Sequence, residues 1–497
     1  MTIIKRVFIP TPQNWKNGLL PFGYVMVFSS AVFLFLFLPA VWILHTLIPA
    51  KYLRARNVLL GIASILFYAY GEPIYILLML GSVLVNYIAA RLIASAAGKG
   101  KSRAKKTLTV IAVAVNLGIL GFFKYVPWFV SLVNAHTPLS LPVPGFTMPI
   151  GISFYTFQIL SYVLDVAKGD SQAQKNYFNL LLYISFFPQL IAGPIVTYNA
   201  IRDQLTARTV TIEGTARGIR RFLFGLSKKL LVSNTAAVFA DAAFASQSPS
   251  GALAWIGAVG YCIQIYFDFS GYSDMAVGLA ELFGFRIGEN FNYPYSAVSV
   301  RDFWKRWHIS LTSWFRTYVY FPLGGNRKGD ARTVLNRYIV FFLTGFWHGA
   351  NFTYILWGLW HGTLMMFERV TNLSRLENKR AFRPLLRLYT LLCVAVGFVM
   401  FRAPDIASGF RYLGAMFLPH GGVSDLGALL TPYAVLVMLV GFVLSAPVLP
   451  KLRERAAATG HAVGWNRFEY VLCAPLFALC VMTLASSSFN PFIYYIF

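Results

Sequence analysis

Long apolar blocks alternate along this chain with short polar clusters, and most of those clusters are basic. Met26 opens the first block, VFSSAVFLFLFLPAVWILHTL, which predicts a membrane helix. Lys51, Arg54 and Arg56 follow it, and residues 57 to 95 hold two apolar runs hinged at Gly71-Glu72-Pro73. The densest cationic loop is GKGKSRAKK, residues 98 to 106. Cytoplasmic loops collect Lys and Arg, so both basic clusters belong inside and the hinge outside. Leu108 to Phe123 then crosses outward, the Pro-rich segment 136 to 149 is an outer loop, and Ile150 to Val166 returns toward Lys168.

The next run, NLLLYISFFPQLIAGPIV at 179 to 196, precedes Arg202, Arg208, Arg217, Arg220, Arg221, Lys228 and Lys229. A full crossing would put those cations outside. The segment is expected to dip in and return, broken by Pro188, Gly193 and Pro194, in surroundings of protein or water that tolerate irregular backbone. Residues 215 to 232 mix cations with Leu and Phe at helical spacing, which predicts an amphipathic helix on the cytoplasmic surface. After an apolar run at 252 to 267, FDFSGYSDMAVGLAELFGF sets Asp268, Asp274 and Glu281 in apolar surroundings. FNYPY at 291 to 295 reads as a turn, and a basic stretch runs from Arg301 to Arg337. The apolar run Tyr338 to Phe346 ends in Trp347-His348-Gly349, and the pattern returns at Trp360-His361-Gly362. A basic loop from Arg369 to Arg387, a helix at 388 to 401 and spans near 428 to 448 and 468 to 485 complete the chain. At roughly 20 residues per span, about a dozen hydrophobic segments are expected.

Composition agrees. Of 497 residues, 57% are hydrophobic and only 12% charged, and the mean hydropathy is +0.60. A soluble core of this size needs far more polar surface, so the fold class is an all-α polytopic integral membrane protein. The net charge of +25 fits cytoplasmic loops facing anionic lipids rather than nucleic acid. Residues 1 to 25 are polar and carry Lys5, Arg6 and Lys16, without a signal-peptide cleavage site. They read as an upstream extension, with Met26 as the start and 26–497 as one membrane domain; N-terminal sequencing of the native protein tests this. Cys262, Cys393, Cys473 and Cys480 are scattered without metal-ligand spacing and read as small buried hydrophobes, and no metal or cofactor is implied.

Candidate chemistry centres on histidine. An ionisable residue in an apolar segment is costly and is a functional candidate by default, and imidazole acts as a base near neutral pH. His348 can take the proton from an attacking hydroxyl; the alternative is a structural histidine bonded to a neighbouring helix. His308, beside Lys305 and Arg306, is expected to be kept neutral by those cations and to orient or polarise a substrate, or else to sit among interfacial aromatics. His361 would lie on the opposite side from His348 if one helix continued through both, and a structural role is favoured for it. Arg301, Lys305, Arg306, Arg316 and Arg327 are candidates for the phosphates of an anionic donor, against ordinary positive-inside charge. Asp274, with Asp268 and Glu281, fits either a relay and donor-binding role or helix packing.

The segments VFSSAVFLFLFLP, GISFYTFQILSYVLDV, SFFPQLIAGPIV, YFDFSGYSDMAVGLAELFGF, NFNYPYSAVSVRDFWKRWHISLTSWFRTYVYFPLGGNR and FWHGANFTYILWGLWHG together resemble the membrane-bound O-acyltransferases, and within them the bacterial alginate O-acetylation type. The resemblance begins at about Met26. It implies helices around a central pore or funnel, with re-entrant and cytoplasmic amphipathic helices. It carries the catalytic histidine onto His348 and a second functional position onto His308, within Arg306-Trp307-His308. Lys305, Arg306, Arg316, Trp347 and Asp274 are the donor-binding candidates from the residues themselves. The implied donor is acetyl-CoA, reached from the cytoplasm across a bacterial inner membrane. The implied partners are a periplasmic transferase of the SGNH or a related type and an exported polysaccharide. The aromatic run Phe492 to Phe497 resembles a motif whose tyrosine relays the acyl group, which maps onto Tyr494; the alternative is an interfacial aromatic belt. Peptidoglycan O-acetylation and teichoic acid D-alanylation share the scaffold. A polysaccharide or lipid transporter would predict internal repeats and paired intramembrane charges.

Overall fold

A computed structural model describes residues 26–418, 426–427, 429–486 and 492–493. The described residues are helical, without a strand. Among the described residues, six helices are long and apolar enough to cross a membrane, or seven if one pair bent by 62° counts as a span. This is about half the number expected from hydropathy. Several of the other apolar segments fold as helices that are shorter or less apolar than these.

The described residues up to Ile191 form one compact unit. It contains α1 (Phe33–Leu47), α2 (Leu53–Gly71), α3 (Tyr75–Gly98), α4 (Ser102–His136), α5 (Ile152–Lys168) and α6 (Tyr177–Ser185). With nine residues, α6 is about 14 Å long at 1.5 Å per residue and cannot cross a hydrocarbon core of about 30 Å. The chain breaks at Phe186 (φ −50°, ψ 107°), just before Pro188, so the segment from residue 179 does not span as a helix. Only 17% of the apolar window of α4 is buried inside the protein, which leaves the rest of that surface to lipid. A buried polar link joins α4 to α3 and is reciprocal. Asn86 Nδ2 donates to Asn116 Oδ1 at 3.0 Å and Asn116 Nδ2 to Asn86 Oδ1 at 2.7 Å. Such side-chain pairs join helices where water does not compete.

The second unit comprises the described residues from Ala192 to Ser486 with Phe492 and Ile493. Its long helices are α7 (Ile212–Ala245) and α8 (Gly251–Leu282). Two short helices follow, α9 (Val300–Arg306) and α10 (Ile309–Phe315). Next come α11 (Asp330–His348), α12 (Phe352–Val370), α13 (Arg380–Arg402) and α14 (Ile406–Phe417). The last are α15 (Pro432–Leu444), α16 (Val448–Ala458) and α17 (Ala462–Ser486). With 72% of its window buried, α8 is the central helix of the unit, while α17, at 17%, faces outward.

The amphipathic helix expected over 215 to 232 is the front half of α7, which continues through a π-helical turn at Lys228–Ser233. It does not lie free on a surface. Glycines seven residues apart on each helix bring α7 and α8 into antiparallel backbone contact. A Cβ on Gly218 would lie 2.6 Å from Gly278 O, and one on Gly225 would lie 2.6 Å from Gly271 O. Alanine at Gly225 is therefore expected to destabilise the unit by about 1–3 kcal/mol, since backbone carbonyls on a rigid helix cannot move aside cheaply. Gly121→Ala, where nothing lies within 4 Å, is the control, and thermal unfolding of both detergent-solubilised variants is the measurement.

The close approach pairs the acids of α8 with the cations of α7. Glu281 meets Arg217 at 2.8 Å, and Asp274 meets Arg221 at 2.9 Å and Lys228 at 2.6 Å. Asp268 meets Lys229, with both side chains almost wholly buried. The cations read as a cytoplasmic surface charge are in this stretch an inter-helix ladder, with Arg217, Arg221, Lys228 and Lys229 each paired with an acid of α8.

Candidate active site

Helix α11 ends on His348, and the chain turns back through Gly349 to α12, whose first turn is capped by Asn351 Oδ1 accepting from Thr353 N at 3.0 Å. The glycine after His348 is required by a neighbour rather than by a substrate: a Cβ there would meet the Tyr354 ring at 2.5 Å. Because the helix breaks here, His348 and His361 are not on opposite sides of one helix. They stand on facing helices, and the Trp357 ring touches both, with centroids 5.1 Å from His348 and 5.3 Å from His361.

His308 comes from the sharp junction between α9 and α10. Its φ of +44° lies in the left-handed region, which costs a non-glycine residue about 1–2 kcal/mol. Strain of this kind clusters at functional sites and persists only where the surroundings enforce it. Here Asn290 does so. Its main-chain O accepts from Ile309 N at 3.0 Å, and its side-chain Oδ1 accepts from Ser310 N at 3.2 Å and Ser310 Oγ at 2.9 Å. The same Oδ1 lies 3.2 Å from His308 Nδ1. The main-chain donor from Ser310 identifies the Asn290 atom as oxygen, so the facing Nδ1 must carry the proton. That leaves the lone pair of a neutral His308 on Nε2. Ser310 Oγ in turn accepts from Ile195 N at 3.0 Å, which ties the Gly-Pro-Ile-Val stretch to the same network. Burial holds the His308 imidazole well below its ordinary range. The cause expected from sequence, the adjacent cations, is not the one at work: Lys305 is exposed and Arg306 is paired with Asp302 at 2.9 Å.

Trp347 joins the two histidines. Its ring centroid lies 4.9 Å from His348 and 6.3 Å from His308. Phe269 meets His308 edge-on at 4.7 Å, and Phe401 meets His348 at 5.1 Å. Beyond Trp357, His361 packs edge-on to Trp304 at 5.2 Å. Among the described residues, neither ring nitrogen of His361 and neither indole N–H of Trp304 and Trp357 has a hydrogen-bond partner. The result is an aromatic wall carrying three buried imidazoles.

The remaining candidates are spread more widely. Arg306 is held by Asp302 and reaches Asn292 O at 3.4 Å. Lys305 and Arg316 are exposed, the latter with its guanidinium 5.2 Å from the Phe321 ring centre. Asp274 belongs to the α7–α8 ladder. Tyr494 lies outside the described residues. Asn290, Ser310, Trp357 and Phe401 are not singled out by motif spacing. Asn290 opens the NFNYPY run, but it lies 18 residues before His308, so motif spacing does not join the two. Asn290→Ala is expected to cut turnover about 10- to 100-fold, the size seen when an orienting partner of a reactive imidazole is lost. Steady-state kinetics on the folded variant checks this.

Comparison with known proteins places this geometry. Residues 147–410 match the family model for MBOAT, the membrane-bound O-acyltransferase family. The chain is 40% identical over 492 residues to "Probable alginate O-acetylase AlgI" of Pseudomonas putida, covering 95% of this chain and all of that protein. It is 33% identical over 427 residues to a peptidoglycan O-acetyltransferase of Helicobacter pylori, covering 79% and 80% of the two chains. A teichoic acid D-alanyltransferase of Bacillus subtilis is 29% identical over 265 residues, covering 50% and 65%. The matched region includes His308, Trp347, His348 and His361, and the chain belongs to the membrane-bound O-acyltransferase family.

Proposed function

We propose that this multi-pass membrane O-acyltransferase takes an acetyl group from cytoplasmic acetyl-CoA and passes it across a bacterial inner membrane, for O-acetylation of an exported, alginate-like polysaccharide. The observation that carries the reading is the meeting of His308 and His348 on the Trp347 ring, with the His308 tautomer set by Asn290. His348 is the general base that takes the proton from the acceptor hydroxyl as it attacks the thioester carbonyl. His308, neutral and oriented, holds the reacting groups in place, and the surrounding rings keep water from the thioester. The hydroxyl oxygen bonds to the acyl carbon, the carbon–sulfur bond breaks, and the proton held by His348 leaves with the CoA thiolate. Lys305, Arg306 and Arg316 stand on the same unit as the histidines and supply positive charge for the CoA phosphates. A periplasmic transferase of the SGNH or a related type completes delivery.

An alginate-like acceptor is favoured over peptidoglycan or teichoic acid by similarity: 40% identity over nearly the whole chain against 33% and 29% over less of it. The test supplies acetyl-CoA or D-alanyl carrier protein to proteoliposomes containing the protein, with the periplasmic partner and either alginate or peptidoglycan fragments. CoA release with acetate esters on alginate is the expected result. Transfer from the carrier protein alone, or to peptidoglycan alone, overturns it.

A further inference from the structure

The mechanism leaves unused a pair of buried charges, Lys229 on α7 and Asp268 on α8. Each carboxylate oxygen of Asp268 has its own task. Oδ1 receives the Lys229 ammonium and, at 3.3 Å, Ser233 Oγ. Oδ2 receives the main-chain N–H of Ile493 at 2.9 Å, across 225 residues of sequence. The same ammonium lies 4.7 Å from the centre of the Phe492 ring, and that ring meets Tyr272 edge-on at 4.8 Å. Lys229 and Ser233 are one helical turn apart on α7, and Asp268 and Tyr272 are one turn apart on α8. Two facing turns therefore make a pocket with a carboxylate oxygen for a peptide N–H and a cation for an aromatic face. Ile493 packs in the buried cluster that also contains Trp357, Phe398 and Phe401.

An apolar pair would fill the space between the helices at no cost in stability. It would not offer an acceptor to a main-chain N–H in a place without water, nor a cation to a ring. We propose that Lys229 and Asp268 form an intramolecular docking site for the aromatic segment at Phe492–Ile493, and that they are positioning residues that hold this segment in the wall carrying the histidines. The docking half goes beyond the acyl-transfer reading; the positioning half rests on it.

The test uses the full chain. Hydrogen–deuterium exchange followed by mass spectrometry reads the Ile493 amide in wild type and in a Lys229→Met/Asp268→Leu double variant, which keeps the helix crossing filled. Exchange about 10- to 100-fold faster in the variant, with the amides of α8 still protected, is the expected result. An unchanged rate at Ile493 overturns docking. Ile493→Pro removes the donor to Asp268 Oδ2 and keeps both charges of the Lys229–Asp268 pair. It is expected to lower kcat for acetyl transfer about tenfold at an unchanged KM for acetyl-CoA, the mark of a misplaced reacting group rather than a weakened donor site. Unchanged kcat overturns positioning. The exchange result needs no enzyme assay, so failure of the acetyl-CoA reading leaves the docking test decisive.

Discussion

His348→Ala is expected to lower kcat for acyl transfer about 10²–10⁴-fold, the contribution of a positioned general base. The side chain is 4% exposed and closed in by Trp347, Trp357 and Phe401, so no bulk water base can replace it. His348→Gln preserves the volume against the three rings and removes only the base, and it is expected to lose as much. The measurement is CoA thiol release by both variants in proteoliposomes, with thermal unfolding showing that each is folded. A variant lowered equally in kcat and kcat/KM has lost an interaction made only in the transition state. Turnover within a factor of two of wild type would take His348 out of the chemical step and leave His308, with its defined tautomer, as the base.

Lys229→Met carries the largest expected effect on stability, about 3–5 kcal/mol, because it strands Asp268 as an uncompensated charge in an apolar interior. The two side chains are 2% and 1% exposed, so solvent cannot take over. The single substitution is expected to leave little monodisperse protein in detergent. Removing both charges, as Lys229→Met/Asp268→Leu, is expected to restore most of the loss, since the cost of the single variant lies in the stranded carboxylate. Thermal midpoints of wild type, both single variants and the double variant form the cycle that measures the coupling. A single variant as stable as wild type would show that the pair is hydrated in the membrane.

Much of the molecule follows from local pattern. Apolar runs of the right length mark α3, α4, α8 and α17 as spans, and the two prolines and the glycine between 188 and 194 mark a segment that does not cross as a helix. The Trp-His-Gly motif and the flanking segments are enough to point to the family. Other features were misjudged for physical reasons. Hydropathy counts apolar surface whether it faces lipid or protein, so it cannot tell a lipid-facing helix such as α4 from a buried one such as α8. The cations of 217 to 229 look like a cytoplasmic face because composition cannot show that the acids of α8 oppose them. Whether one helix continues through Gly349 is not legible in the periodicity; the break there folds the helices of His348 and His361 side by side.

By itself, the sequence determined that this chain lives in a membrane, is built of helices and carries an acyltransferase motif, because hydropathy and helical period are properties of neighbouring residues. Only the tertiary structure decided that His308 and His348 share one indole, that Asn290 chooses the tautomer, and that Ile493 reaches Asp268. Asn290 and His308 are 18 positions apart, and Asp268 and Ile493 are 225 apart. Such contacts depend on where glycines let helices approach and where the chain bends between them, which no local window of sequence contains.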